Sequence, residues 1–206
     1  MSMKNPAQWR GMRYPDSDLV GLVFRYAKPG RDLPDSAPRA IDVGCGNGRH
    51  VRFLNEVGYR AFGIDIDPQM CETARDNGVE VLQIAVEQYR PVEPLGLVLC
   101  WGVMMLVPQI PEIVAGWNAD VVIADWRTPN NSCFHWPGNV PLPDRPGFVR
   151  LNQPGHILHG CEYRSHQLSE CQLPGYERIH WQLVVRETAD EHHEWWQTVH
   201  RRIGRR

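Results

Sequence analysis

Ile41-Asp42-Val43-Gly44-Cys45-Gly46-Asn47-Gly48 is the stretch that decides the fold. Residues 39–43, Arg39-Ala40-Ile41-Asp42-Val43, read as a short strand, and three glycines follow at alternate positions. Glycines placed directly after a strand let the backbone turn tightly and let a ligand approach the main chain without meeting a Cβ atom. That geometry serves a nucleoside cofactor. A dinucleotide fingerprint needs its third glycine at position 49, where this chain has Arg49, so the nicotinamide pattern is not met.

Working outward, the segments alternate. Residues 18–28 carry Leu19, Leu22, Val23 and Tyr26 on one helical face, stopped by Pro29-Gly30. After the glycines, His50, Phe53, Leu54 and Val57 fall on one face of a second helix ending at Gly58. Strands are expected at residues 59–64, 79–84, 96–101 and 120–125, with helices from Asp67-Pro68 to Asn77-Gly78 and across residues 108–117. Such alternation implies a parallel sheet covered on both faces. Prolines recur from Pro129 to Pro154, so residues 126–155 read as a long functional loop without regular structure. A short helix over residues 165–173 and strand-like segments at 177–186 and 193–201 then complete an antiparallel hairpin at the sheet edge.

The expected fold is therefore α/β and Rossmann-like: a doubly wound, mostly parallel seven-stranded sheet with an antiparallel C-terminal hairpin. A single domain is expected over residues 1–206. It divides into an N-terminal helix and connector (1–38), a cofactor-binding core (39–125), a substrate-side loop or insertion (126–160), and a C-terminal helix and hairpin (161–206).

Composition bounds the partners. The chain has 206 residues, 42% of them hydrophobic and 22% charged, which is ordinary for a globular domain. Its formal net charge of −2 argues against long nucleic acid as a partner, although Arg201, Arg202, Arg205 and Arg206 form a local basic patch. The opening fifteen residues hold Lys4, Arg10 and Arg13 without an apolar core, which does not read as a signal peptide, and the nearly apolar run 95–107 is too short to span a bilayer. A cytoplasmic protein without a membrane segment is expected. Six cysteines with no CxxC pair read as reduced thiols rather than disulfides or a zinc site.

Asp65 closes the second strand, nineteen residues after Gly46, where a carboxylate can accept hydrogen bonds from ribose hydroxyls. Together with Gly63-Ile64-Asp65-Ile66-Asp67, the glycine stretch resembles the first two motifs of the class I S-adenosylmethionine-dependent methyltransferases, over residues 39–125. The resemblance implies S-adenosyl-L-methionine as cofactor. It places Gly44, Cys45 and Gly46 against the methionine and sugar, Asp65 on the ribose and Ile66 beside the adenine, with Asp42 orienting the loop by hydrogen bonding. Family members often carry an acid after the third strand to meet the adenine amino group; here Ala85 stands at that place, and backbone groups of Ala85 and Val86 or the side chain of Glu87 would substitute. Cys100 and Trp101, at the end of the fourth strand, complete the expected cofactor contacts.

Ligands of open parallel sheets bind beyond the carboxyl ends of the strands. That places Trp126 and Arg127, after the fifth strand, and Tyr14 of the N-terminal segment on the acceptor side. Trp101 and Trp126 could stack on a sugar or base, or plug the top of the core. Methyl transfer is mostly a matter of positioning and needs no metal. Some acceptors need a base, and the segment Gly155-His156-Ile157-Leu158-His159 loosely resembles a histidine-bearing segment of some small class I enzymes, making His159 the candidate. His156, His159, Cys161, His166 and Cys171 lack the regular spacing of a metal site, so no metal is expected.

The chain has Cys100-Trp101-Gly102-Val103 where amino-methylating DNA enzymes resemble one another in an Asn/Asp-Pro-Pro-Tyr/Phe tetrapeptide, and it has no Pro-Cys nucleophile there. The expected acceptor is a small molecule such as a sugar, a nucleotide or another metabolite, methylated on O or N. Two other readings remain at this level: a non-catalytic module on the same fold, motivated by Ala85, and a nicotinamide-dependent oxidoreductase, disfavoured by Arg49.

Overall fold

β1 (Arg39–Val43) lies inside the sheet and is buried on both faces: Ile41 and Val43 point into one core cluster and Ala40 into the other. The computed structural model describes residues 13–27, 37–152, 160–189 and 191–204. Around β1 run β2 (Arg60–Asp65), β3 (Val81–Gln83), β4 (Leu97–Cys100) and β5 (Val121–Arg127), all parallel. β9 (Tyr176–Glu187) and β10 (His192–Arg202) form the antiparallel hairpin, and the full order is β3-β2-β1-β4-β5-β10-β9. The expected seven-stranded, doubly wound architecture is what the chain adopts.

Parallel strands must be covered on both faces. α1 (Ser17–Leu22), α2 (Arg49–Glu56) and α3 (Pro68–Asp76) cover one face through Leu19, Leu22, Val51, Leu54, Cys71 and Ala74. α4 (Ile110–Gly116) covers the other through Ile110, Val114 and Ala115. Local chemistry sets their starts. Asp16 caps α1 by accepting from the Asp18 amide at 3.0 Å, and Asp67 caps α3 by accepting from Gln69 at 2.9 Å, with Pro68 in the first turn. α1 passes into a π-helical turn, Val23–Ala27. Asp18 Oδ2 accepts from Arg186 at 2.7 Å and from Gln197 at 3.0 Å, which fixes α1 onto the hairpin.

Two expectations are corrected. Residues 126–155 are not free of regular structure: β6 (Val140–Pro141) pairs with β7 (Phe148–Arg150), which pairs in turn with β8 (Glu162–Arg164), in a second, antiparallel sheet. Val149, Leu151 and Tyr163 bury against Cys133 and Phe134 in a third core cluster, and this burial outweighs the local proline content. Pro141 fits because it lies in a two-residue edge strand. The helix expected over residues 165–173 shrinks to a 3₁₀ turn, Leu168–Glu170. The backbone there bonds elsewhere: the His166 amide donates to Arg127 at 2.8 Å, and Arg178 donates to the carbonyls of Leu168 and Cys171 at 2.6 and 3.1 Å. Among the described residues no helix is long and apolar enough to cross a membrane.

Candidate active site

The turn after β1 is held from below by β2. The amides of Gly44 and Cys45 both donate to the Ile64 carbonyl, at 2.8 and 3.1 Å. Gly44 has φ of 69°, and a Cβ there would lie 2.3 Å from Cγ1 of Val103, so side-chain sterics and backbone both demand glycine. At Gly46 an added Cβ would meet nothing within 4 Å, which leaves the main chain open on that side.

Asp65 completes the turn. Its Oδ2 accepts from the Gly46 amide at 2.8 Å and its Oδ1 from the Asp67 amide at 2.9 Å. Burial raises the Asp65 pKa above the ordinary carboxylate value, and the two amide donors oppose that rise. A carboxylate has about four acceptor positions in all, so two amides leave room for ribose hydroxyls. Ile66 next to it is 71% exposed, an apolar side chain presented beside the turn.

A second carboxylate does the equivalent at a neighbouring strand end. Asp125, at the end of β5 and buried, accepts a hydrogen bond from the amide of Gly102, which has φ of 82° in the turn after β4. Its other oxygen lies 3.6 Å from Arg127. Burial lifts the Asp125 pKa, and Arg127 acts against that. Asp65 thus pins the glycine turn after β1 and Asp125 pins the one after β4.

Asp42 does something other than the expected loop hydrogen bonding. It is buried, its Oδ2 stands 3.6 Å from Nδ1 of His50, and neither oxygen has a hydrogen-bond partner among the described residues. The turn is tied by Ile64 and Asp65 instead. Unpartnered buried carboxylate oxygens beside an open glycine turn suit a polar or cationic ligand group.

The remaining expected residues fall as follows. Cys45 packs beneath the turn, against the space over Gly63, and burial pushes its thiol pKa up, so it offers packing rather than a nucleophile. Cys100 is fully buried and Trp101 half-buried at the end of β4. The Ala85 carbonyl accepts from the amides of Gln88 and Tyr89 at 3.0 and 3.2 Å, starting a turn just beyond β3, while Val86 joins the core. Trp126 has no exposed surface and donates its indole N–H to Thr198 Oγ1 at 2.7 Å. Arg127 stacks on Trp195 at 5.1 Å. Tyr14 is 81% exposed. His159 and His156 lie outside the described residues. Among the described residues no group of three or more His, Cys, Asp or Glu side chains could hold a metal ion.

One residue that spacing did not single out for the acceptor side is His166. It is 2% exposed, lies edge-on to Trp126 with ring centroids 5.1 Å apart, and lines a cavity with it. Burial lowers its pKa to about 4, with Arg164 adding to the effect. No local pattern announces this placement, since its partner ring lies on a distant strand.

A parallel sheet with a glycine turn after its first strand and a carboxylate closing its second defines a Rossmann-like protein with its ligand site at the carboxyl edge. Comparison with known proteins narrows the class. Residues 40–119 match the sequence model of the methyltransferase domain family. A curated relative, trans-aconitate 2-methyltransferase of Mycobacterium sp. (strain KMS), is 27% identical over 143 residues, covering 67% of this chain and 53% of the relative. The chain thus spans about half the length of the curated relatives it matches. Among solved structures, a SAM-dependent methyltransferase from Methanosarcina mazei superposes with a TM-score of 0.62 at 14% identity, covering 80% of this chain and 92% of that one. Magnesium protoporphyrin IX methyltransferase from Synechocystis, solved with SAH bound, gives 0.59 at 15% identity, covering 89% and 80%. Over residues 40–119 the chain is thus similar to methyltransferase domains, and its fold is the one shared by S-adenosylmethionine-dependent methyltransferases of known structure.

Proposed function

We propose that this protein transfers a methyl group from S-adenosyl-L-methionine to an oxygen or nitrogen atom of a small acceptor. The observation that carries the reading is the open main chain at Gly46 with Asp65 fixed beside it. When bound, the cofactor supplies an activated methyl on a positively charged sulfur.

The chain's own residues do the positioning. Gly44 and Gly46 let the cofactor lie against the backbone, Asp65 takes the ribose hydroxyls with its free acceptor positions, and Ile66 covers the adenine. The uncompensated oxygens of Asp42 attract the positive amino-acid end. Cys100 and Trp101 form the floor at the end of β4, and Asp125 keeps the Gly102 turn in place above them. Ala85 and Val86 meet the adenine edge through the backbone. With donor and acceptor held in line, most of the rate gain of such a displacement comes from orientation.

The acceptor enters from the side of Trp126, Arg127 and Tyr14, and His159 remains a candidate base. Sugars, nucleotides and other small metabolites are the acceptor classes we favour; the name of the mycobacterial relatives adds small organic acids to them. All six cysteines are free, which suits a cytoplasmic setting.

Titration calorimetry with S-adenosylhomocysteine tests the reading directly. One-to-one binding and a raised melting temperature are expected, with no response to nicotinamide dinucleotides. A folded, ligand-free preparation that binds neither S-adenosylhomocysteine nor S-adenosylmethionine would overturn it. Binding without transfer of labelled methyl to any small molecule of a cell extract would reduce it to a non-catalytic module.

A further inference from the structure

A cavity of about 430 Å³ opens beside the end of β5. Two backbone hydrogen bonds fix its position. Arg164 donates to the Met105 carbonyl and His166 to the Arg127 carbonyl, both at 2.8 Å, so the segment after β8 crosses from the β4–α4 loop to the end of β5. This is the carboxyl edge of the sheet, the same edge that carries the glycine turn. The volume suits a ligand of one or two rings.

Its walls combine apolar residues, Pro108, Pro111, Leu173 and Pro174 with Trp126 buried behind them, and the polar side chains of Glu112, Arg164, His166, Glu170 and Gln172. Its charges nearly cancel. Arg164 is engaged by Glu170 Oε1 at 2.9 Å, and Glu170 Oε2 accepts from the Gln167 amide at 2.7 Å. Glu112 is exposed on α4 and has no ion-pair partner among the described residues, so the rim is left with one negative charge. His166 is neutral near pH 7 because burial depresses its pKa. Its ring makes no hydrogen bond among the described residues, and Nδ1 is buried without a partner. A carboxylate brought here would lose its hydration and meet no free cation. A neutral hydroxyl would meet an imidazole able to bond it.

Resting on the methyl-transfer reading above, we infer that this cavity is the acceptor subsite, that it admits a flat, neutral, hydroxyl-bearing ring of the phenol type, and that His166 receives the hydroxyl. In the step that follows, a lone pair of the hydroxyl oxygen forms the new O–CH3 bond while the S–CH3 bond breaks and its electron pair stays on sulfur, leaving a neutral thioether. The hydroxyl proton passes to the imidazole of His166 and then to water. An oxygen that has gained a methyl group is a far stronger acid than imidazolium, so even this weakly basic histidine accepts the proton. The subsite would set this chain apart from relatives named for a polycarboxylate.

Fluorine NMR titration of the protein saturated with S-adenosylhomocysteine tests this, using 4-fluorophenol and 4-fluorobenzoate as probes of equal ring size. The wild type should bind the phenol about tenfold or more tightly than the benzoate, and His166→Ala should lose about tenfold of the phenol affinity while keeping its S-adenosylhomocysteine affinity. If His166→Ala does not fold, Glu112→Lys, on the exposed rim, should narrow the preference by admitting the benzoate. Equal binding of both probes, or phenol binding indifferent to both substitutions, overturns the acceptor inference while leaving cofactor binding intact. Failure to bind S-adenosylhomocysteine at the outset overturns the methyl-transfer reading instead, so the two failures are distinct.

Discussion

The Asp65 carboxylate accepts a hydrogen bond of 2.8 Å from the Gly46 amide, so the end of β2 shapes the turn that follows β1. The same side chain is therefore both a structural pin and the proposed ribose anchor. Asp65→Asn keeps the size but removes the charge and one of the two acceptor oxygens, and hydrogen bonds to charged groups are worth about 1.5–3 kcal/mol. S-adenosylhomocysteine affinity should fall about 10- to 100-fold, read by calorimetry, with the melting temperature lowered less than by Asp65→Ala. Unchanged affinity would remove Asp65 from the cofactor site.

Gly44→Ala should be severe. The added methyl lies 2.3 Å from Val103 Cγ1, and the backbone has φ of 69°. A positive φ on alanine costs about 1–2 kcal/mol and overpacking about 1–3 kcal/mol more. Urea denaturation should show the combined loss. Adding Val103→Ala should recover the steric contribution but not the backbone one, so the double variant should be more stable than the sum of the single effects.

Trp126→Phe separates packing from recognition. The indole is fully buried and its N–H sits on Thr198, which also lies 2.9 Å from Nε2 of the buried His200. Removing the N–H should cost about 1–2 kcal/mol of stability and leave S-adenosylhomocysteine affinity unaltered. A large loss of cofactor affinity would mean that this ring contacts the cofactor after all.

Acid should destabilise the protein earlier than its carboxylates alone would. Burial lowers the pKa of His166 from 6.5 to about 4 and that of His200 from 6.5 to about 3. In the unfolded chain both take up protons near pH 6.5, whereas the folded chain resists until much lower pH. Their contribution is thus complete above pH 6.5 and is lost as the pH falls through about 4 for His166 and about 3 for His200. Each group adds a slope of up to about 1.4 kcal/mol per pH unit in that window. Denaturant unfolding at pH 7, 6 and 5 should show the decline, and His200→Gln should remove one proton's worth of slope. An identical slope in the variant would count against it.

The features legible in the sequence are those governed by neighbours along the chain. β1, the glycine turn and Asp65 follow from adjacent residues and a fixed spacing, and the cap Asp67 acts within two residues of its partner. β6, β7 and β8 escaped because their stability comes from burying Val149 and Tyr163 against Cys133 and Phe134, contacts that no local period encodes. The helix expected over residues 165–173 failed for a related reason: Arg178 and Arg127 engage its backbone groups from other strands. His166 belongs to the same kind, a side chain given meaning by a ring on β5.

The position of β10 between β5 and β9 also orders the way the sheet can be built. β9 precedes β10 in the chain yet reaches the parallel strands only through it, so during synthesis its twelve residues wait with both edges unpaired until β10 emerges. Docking of α1 onto Arg186 and Gln197 waits for the same event. Closure of this sheet is therefore a late step joining α1 to β10, and the slow phase of folding should belong to that long-range seam rather than to the glycine turn.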